Sequence, residues 1–482
     1  MWPAAETLFS RLAAFGERAA LAEGGRELTY DGLLDAVTAR SQQLRELGAE
    51  RVALALDNGI DWVLWDLAVL QAGLVCVPVP GFFSAVQQRH VLDSAGIDCL
   101  IGQGAEGFVS VAPGLHRRSV ANPATLHTGT CKITYTSGTT GQPKGVCLDL
   151  ASQLAVAESL LQASASRQVE RHLCCLPLAT LLENIAGVYA PLLAGARVEL
   201  MEMAQIGLSG ASGFDVQRFI RALHSAQPHS LILLPQLLLA LVSAAEMGMP
   251  LPGSLRFVAV GGGRVAEQLL RRAEAMGLPV FEGYGLSECA SVVCLNTPEQ
   301  RRIGTTGKPL GHLQVRLADD GEVLVKGQRL LGYLGEPAPA GEWLGTGDLG
   351  HFENGFLVLH GRKKHQFITA YGRNVNPEWV EAELVQQLPI AQAWLHGETL
   401  PGNVAVLVPR TASISNAQLE AAVAEVNRHL PDYARVHHWL RAEHPFSAAN
   451  ELATANGRLR RNALFNHYQS AIAACMAEGV NA

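Results

Sequence analysis

A chain of 482 residues exceeds one ordinary core and points to a large domain with at least one smaller companion. Hydrophobic residues at 48% and charged residues at 17% exclude a largely disordered chain. The formal charge of −7, with no basic stripe interleaved with aromatics, excludes a nucleic-acid partner and leaves any anionic ligand to local cations.

The opening "MWPAAETLFSRLAAFGERAAL" mixes Glu and Arg into a helical pattern, so it reads as a helix and not as a secretory leader. Apolar runs then alternate with helical patterns: "RVALAL", "DWVLWDLAVLQAGLV" and "CVPVP", later "SLILL", "PQLLLALVSAAEMG" and "LRFVAVGGG". That is the βαβ rhythm of a mostly parallel sheet covered on both faces. The most apolar run, "SLILLPQLLLALVSAA", is broken by Pro235 and Gln236 and falls short of the roughly 20 apolar residues of a membrane span. It is expected to be a buried strand followed by a helix. The nine cysteines include the adjacent Cys174 and Cys175 but no CxxC pair, which reads as buried thiols in a reducing compartment, with no zinc site implied.

From Gly311 onward, "VRLADDGEVLVKGQRLLGYLGE" and "GHFENGFLVLHGR" alternate with turn residues and predict a small antiparallel sheet or barrel. Past "HGRKKHQFITAYGRNVNP" the pattern becomes helical. Asn376 and Pro377 fit an N-cap and first turn, Val380, Leu384 and Leu388 one apolar face, and Glu378 and Glu381 the positive end of the helix dipole. The fold class is therefore α/β: a large N-terminal domain of parallel sheets flanked by helices plus a small antiparallel sheet or barrel, followed by a small mobile α+β C-terminal domain. We draw the domains at 1–361 and 362–482, with a hinge near Lys364, where Gly361 precedes three cations expected to be exposed.

The stretch "ITYTSGTTGQPKGV", Ile133 to Val146, is the first with chemical character. A Walker loop is excluded, because Pro143 precedes Lys144 and Gly145 follows it. The stretch still suits phosphate: Gly138, Gly141 and Gly145 free backbone amides to turn toward a ligand, Ser137, Thr139 and Thr140 donate hydroxyls, and Lys144 adds charge.

This ordered string resembles the signature loop of the adenylate-forming superfamily, which includes acyl- and aryl-CoA synthetases, luciferases and nonribosomal peptide adenylation domains. In wording it is closest to long-chain fatty-acid CoA ligases. Five further segments agree in order. In "EGYGLSE", Glu282 to Glu288, the resemblance implies that Tyr284 stacks on adenine, Ser287 donates to the α-phosphate and Glu288 ligates Mg²⁺ together with Thr136; Glu282 and Gly285 belong to the same nucleotide-binding segment. A hard cation wants such oxygen ligands. The glycine turn Gly261, Gly262 and Gly263 would wall the adenine, at the strand end where open α/β sheets bind ligands. Asp348 in "LGTGDLG" and Arg362 in "HGRKK" would contact the ribose, Lys364 would be the hinge, and Gly372 would lie beside the channel for the CoA arm.

Two positions depart from the family pattern. Arg458 follows Gly457 where relatives place a lysine that bridges carboxylate and α-phosphate; charge is kept, but a planar fork is not an ammonium. Arg460 and Arg461 stand as alternatives that the sequence leaves unranked. In "LPLATLLEN", Thr180 replaces the usual histidine, and Glu183 has no assigned role. The implied reaction activates a carboxylic acid with Mg·ATP to acyl-AMP and pyrophosphate, with Arg458, Lys144 and Glu288 as the catalytic set, and then passes the acyl group to CoA. A medium- or long-chain fatty acid is expected. The alternatives are an acyl-carrier protein as acceptor, an aromatic acid, and a non-catalytic adenylate binder. The chain is expected in the cytoplasm, free or peripheral at a membrane.

Overall fold

The βαβ rhythm becomes two large sheets. The computed structural model describes residues 2–136, 143–209, 213–454 and 457–479, and its chain divides into two compact units. The first comprises Met1–Gly262, Arg272–Val315 and Val325–Leu344; the second comprises Gly263–Arg271, Arg316–Leu324 and Gly345–Ala482.

In the first unit the eight-stranded sheet has a parallel centre. Val75–Pro78, Arg51–Ala55 and Cys99–Gly102 run parallel, and Lys132–Thr136 joins them in the same sense beside Val75–Pro78. Its edge turns antiparallel: Lys144–Leu148 pairs with Lys132–Thr136, and the short Gly332–Tyr333 closes that side. The nine-stranded sheet carries Arg171–Leu173, Ser230–Leu233, Phe257–Val260 and Val280–Leu286 as parallel neighbours, then turns antiparallel at Ser291–Leu295. One apolar core takes residues from both sheets, Val52 and Leu54 from one, Leu21 and Val198 from the other, together with nearly the whole circumference of the helix Ile60–Ala72. A helix apolar all round must be buried all round; it stops at Gly73, whose φ of 79° is the left-handed C-cap that glycine adopts without strain. The run "SLILLPQLL" is the expected strand, Ser230–Leu233, followed by the helix Pro235–Glu246.

In the second unit a three-stranded sheet, Ile390–His396, Asn403–Pro409 and Val436–Arg441, separates two cores. Side chains of the middle strand alternate between them: Ala405 and Leu407 pack with Val380, Leu384 and Leu419, whereas Val404, Val406 and Val408 pack with Leu464 and Ile472. The helix Pro377–Val385 begins as expected, the Asn376 side chain accepting from the Glu378 amide at 3.0 Å. Leu388 departs from the expectation: the helix has ended at Val385, and its side chain is exposed. The short strands past Gly311 form a four-stranded sheet and not a barrel, and Gly332–Tyr333 leaves that series for the edge of the large sheet.

None of the nine cysteines is in a disulfide; eight are buried and Cys475 is partly exposed. Burial raises the pKa of each of those eight thiols. Among the described residues no helix is long and apolar enough to cross a membrane.

Candidate active site

The expected phosphate loop joins two antiparallel strands whose ends face each other, Thr136 opposite Lys144. Ser137, Gly138, Thr139, Thr140 and Gly141 lie outside the described residues. Gly145 is a packing glycine: a Cβ there would sit 2.9 Å from the Ile133 side chain. The Lys144 ammonium is half exposed, 2.9 Å from Glu336 Oε1 and 5.3 Å from the centre of the Tyr333 ring.

Parallel pairing sets Val260 beside Glu282, so the strand ends bearing Gly261 and the Tyr284 segment are neighbours. A Cβ on Gly261 would come within 3.1 Å of the Gly283 carbonyl. At Tyr284 and Gly285 the strand bulges before the chain turns at Ser287. A Cβ on Gly285 would lie 1.8 Å from the Ser291 carbonyl oxygen, so no other residue fits. The turn places Ser287 and Glu288 on a single 3₁₀ turn and is closed by Ala290 at φ 52° and Ser291 at φ 113°. Two successive non-glycine residues at positive φ are costly, and such strain concentrates at functional sites. Glu288 is partly exposed, and one of its oxygens, Oε1, accepts from the Tyr333 hydroxyl at 2.8 Å. A carboxylate and the Thr136 hydroxyl are hard oxygen donors of the kind magnesium takes, so the residues present fit that ion.

In the second unit Asp348 and Arg362 are register partners on the strands Leu344–Glu353 and Phe356–Arg362, and Arg362 Nε lies 2.7 Å from Asp348 Oδ1. Of the three cations after Gly361, Lys363 and Lys364 are exposed, whereas Arg362 is partly buried and held by Asp348; Lys363 is also held by Asp320 and Glu322. Lys364 is exposed; desolvation and then the guanidiniums of Arg362 and Arg458 lower its pKa. Lys364 thus feels the charge of Arg458 within this unit. Arg458 itself is exposed on a turn, its amide donating to Thr454 Oγ1 at 3.0 Å. Arg461 is committed elsewhere, its guanidinium binding both oxygens of Glu381 at 2.9 and 2.6 Å. Gly372, at φ 73°, closes the turn between Phe367–Ile368 and Asn374–Val375, its amide donating to Thr369 at 2.9 Å. No atom lies within 4 Å of where its Cβ would be, so the turn alone accounts for glycine there. Gly263 falls to this unit and Gly262, at φ 75°, to the first.

Two buried polar groups escaped the sequence reading. Lys132 and Asp66, 0% and 1% exposed, lie 2.9 Å apart; Tyr189 donates to Asp66 at 2.7 Å and Asn184 donates to it at 3.0 Å, while Lys132 also donates to Asn184 and Tyr189. Asn184 and Tyr189 belong to the π-helix Glu183–Tyr189, as does Glu183. Glu183 is fully buried, with His172 Nε2 3.4 Å from its Oε1; burial raises its pKa, and His172 pulls the other way. His172 Nδ1 is 2.8 Å from Ser230 Oγ.

Comparison with known proteins identifies the family of the chain. The profile of the AMP-binding enzyme family matches residues 8–336, and that of the AMP-binding enzyme C-terminal domain matches residues 364–479. The 2-succinylbenzoate--CoA ligase of Bacillus cereus (strain AH820) is 28% identical over 418 residues, 80% of this chain and 83% of the relative. The structure of O-succinylbenzoate coenzyme A synthetase from Bacillus subtilis in complex with AMP aligns with TM-score 0.76 and 24% identity, over 94% of this chain and 97% of that one. That of the anthranilate CoA ligase AuaEII in complex with anthranoyl-AMP aligns with TM-score 0.81 and 19% identity, over 97% and 98%. These relatives are named for aromatic acids, and the expected nearness to fatty-acid ligases finds no support among them. With both profiles matched in order along nearly its whole length, the chain belongs to the AMP-binding, adenylate-forming enzyme family.

Proposed function

We propose that this protein is an AMP-forming acid–thiol ligase, joining a carboxylic acid to CoA through an acyl-adenylate. The observation that supports it most is the run of contacts Glu288, Tyr333, Lys144 within one unit, which sets a magnesium-type carboxylate beside the cation of the phosphate loop. Adenylation must bring a carboxylate against a triphosphate, so it needs fixed positive charge and exact placement. Lys144 would offset charge on the leaving β- and γ-phosphates, and Arg458 would bridge the carboxylate and the α-phosphate. Tyr284 would stack on adenine, Ser287 would donate to the α-phosphate, and Asp348, oriented by Arg362, would accept the ribose hydroxyls. Magnesium held by Glu288 and Thr136 would supply further charge neutralisation on the phosphates. Rotation about Lys364 would then exchange Arg458 for the Gly372 segment, opening the way for the thiol.

For the acid we infer a carboxylate on a largely apolar body, aromatic or aliphatic. We take segments 183–195 and 230–238 to approach its site; they are largely small or apolar with no Lys or Arg of their own, and Lys132 donates to Asn184 and Tyr189 of the first. Aromatic acids lead, supported by the relatives' names, and a fatty acid is the second reading, supported by the apolar composition of those segments. CoA is the proposed acceptor. ATP–pyrophosphate exchange across benzoates, 2-succinylbenzoate and medium- and long-chain fatty acids, followed by thioester formation with CoA or carrier protein, tests all of this. Background exchange with every acid, alongside intact ATP binding, would leave only a nucleotide binder.

A further inference from the structure

We propose that Tyr333 is a positioning residue that couples the magnesium carboxylate to the phosphate lysine, an inference that rests on the Mg·ATP reading above. The short strand Gly332–Tyr333 pairs with Lys144–Leu148, Tyr333 opposite Val146, and the Leu334 amide donates to the Gly145 carbonyl at 2.8 Å. Tyr333 is thereby fixed to the strand that carries Lys144. From that place its side chain reaches two groups among the described residues. Its hydroxyl donates to Glu288 Oε1 at 2.8 Å, and its ring lies 5.3 Å from the Lys144 ammonium. A second link is made by backbone, the Leu330 amide donating to the Glu288 carbonyl at 2.6 Å. The segments of Lys144 and Glu288 are thus tied by one strap, whose Tyr333 lies 45 residues from Glu288.

The physical roles differ at the two ends of the side chain. A phenol donating to one carboxylate oxygen fixes the rotamer of Glu288 and directs its remaining lone pairs, as partners behind a metal ligand do. An aromatic face near an ammonium adds cation–π attraction to the ion pair that Lys144 makes with Glu336, steering the lysine without adding a further counterion. Loss of the hydroxyl should therefore weaken magnesium-dependent nucleotide binding, and loss of the ring should weaken phosphate binding as well.

The test is equilibrium binding to the full chain without any acid substrate, following ATP over a Mg²⁺ titration, ATP with EDTA, and AMP. For Tyr333→Phe the expected result is a roughly 10-fold rise in the Mg²⁺ concentration giving half-maximal ATP binding, with AMP affinity and thermal midpoint unchanged. Tyr333→Leu should add a several-fold loss of ATP affinity in EDTA. An unchanged Mg²⁺ requirement in Tyr333→Phe, or parallel loss of AMP and ATP binding, overturns the coupling while leaving the ligase reading in place. If the unaltered protein fails to bind Mg·ATP, both readings fall together.

Discussion

Arg461 grips both carboxylate oxygens of Glu381, and this fork removes it from contention for the charge-bridging role that relatives give to a lysine. Arg458, exposed and close enough to depress the pKa of Lys364, holds that role in our reading. Arg458→Ala should slow acid-dependent ATP–pyrophosphate exchange by roughly 100-fold while thioester formation from supplied acyl-AMP falls far less; equal losses in both would contradict the assignment.

Arg461→Ala should behave differently. It leaves Glu381, 9% exposed, without its counterion, which costs about 3–5 kcal/mol for a buried pair broken on one side. Denaturant unfolding followed in the second unit should show the loss, and adenylation per folded molecule should be little changed.

Glu378 gives the stability of the second unit a pH dependence. Burial alone would raise its pKa, but His365 at 2.7 Å and the charge of Arg461 outweigh it and bring the carboxyl from 4.5 down to about 2. A folded pKa below the unfolded one means stability fully present above pH 4.5 and lost as pH falls toward 2. Glu378→Gln should flatten the thermal midpoint against pH across that window; an unchanged slope would remove Glu378 as its source.

The Asp66–Lys132 pair predicts a non-additive pattern. Lys132→Met alone strands a fully buried carboxylate and should cost about 3–5 kcal/mol, whereas Lys132→Met with Asp66→Leu should recover most of it. Urea midpoints for the two single variants and the double one decide this; additive losses would show that the charges are not coupled.

Gly285→Ala should be among the most damaging small substitutions. Its methyl would overlap the Ser291 carbonyl at 1.8 Å, and relief requires moving the turn that presents Glu288. A loss of at least ~2 kcal/mol together with failure of Mg·ATP binding is expected; normal binding in the folded variant would show that the turn can relax.

The residues legible from sequence share one property: their chemistry is written within a few positions. Tyr284 stands on the strand that runs into the 3₁₀ turn of Ser287 and Glu288, and Asn376 caps the helix that begins at its neighbour. Asp348 and Arg362 were named separately, but their contact follows only from the register of two strands. The contacts that were missed are long-range. Tyr333 meets Glu288 across 45 positions and Arg461 meets Glu381 across 80, and no local pattern encodes either. Periodicity carries Leu388 onto the apolar face because it does not announce that the helix stops at Val385. The acid stayed open for a related reason: its pocket is defined by which apolar segments converge, and leucine and valine carry no chemical signature of their ligand.

The distribution of thiols has a practical corollary. Eight cysteines lie inside the fold and Cys475 alone is partly accessible, so a maleimide dye should couple once per native chain and nine times after denaturation. The protein therefore carries its own unfolding reporter, with no engineered label, and each of the variants above can be scored for foldedness in the tube used for its binding assay.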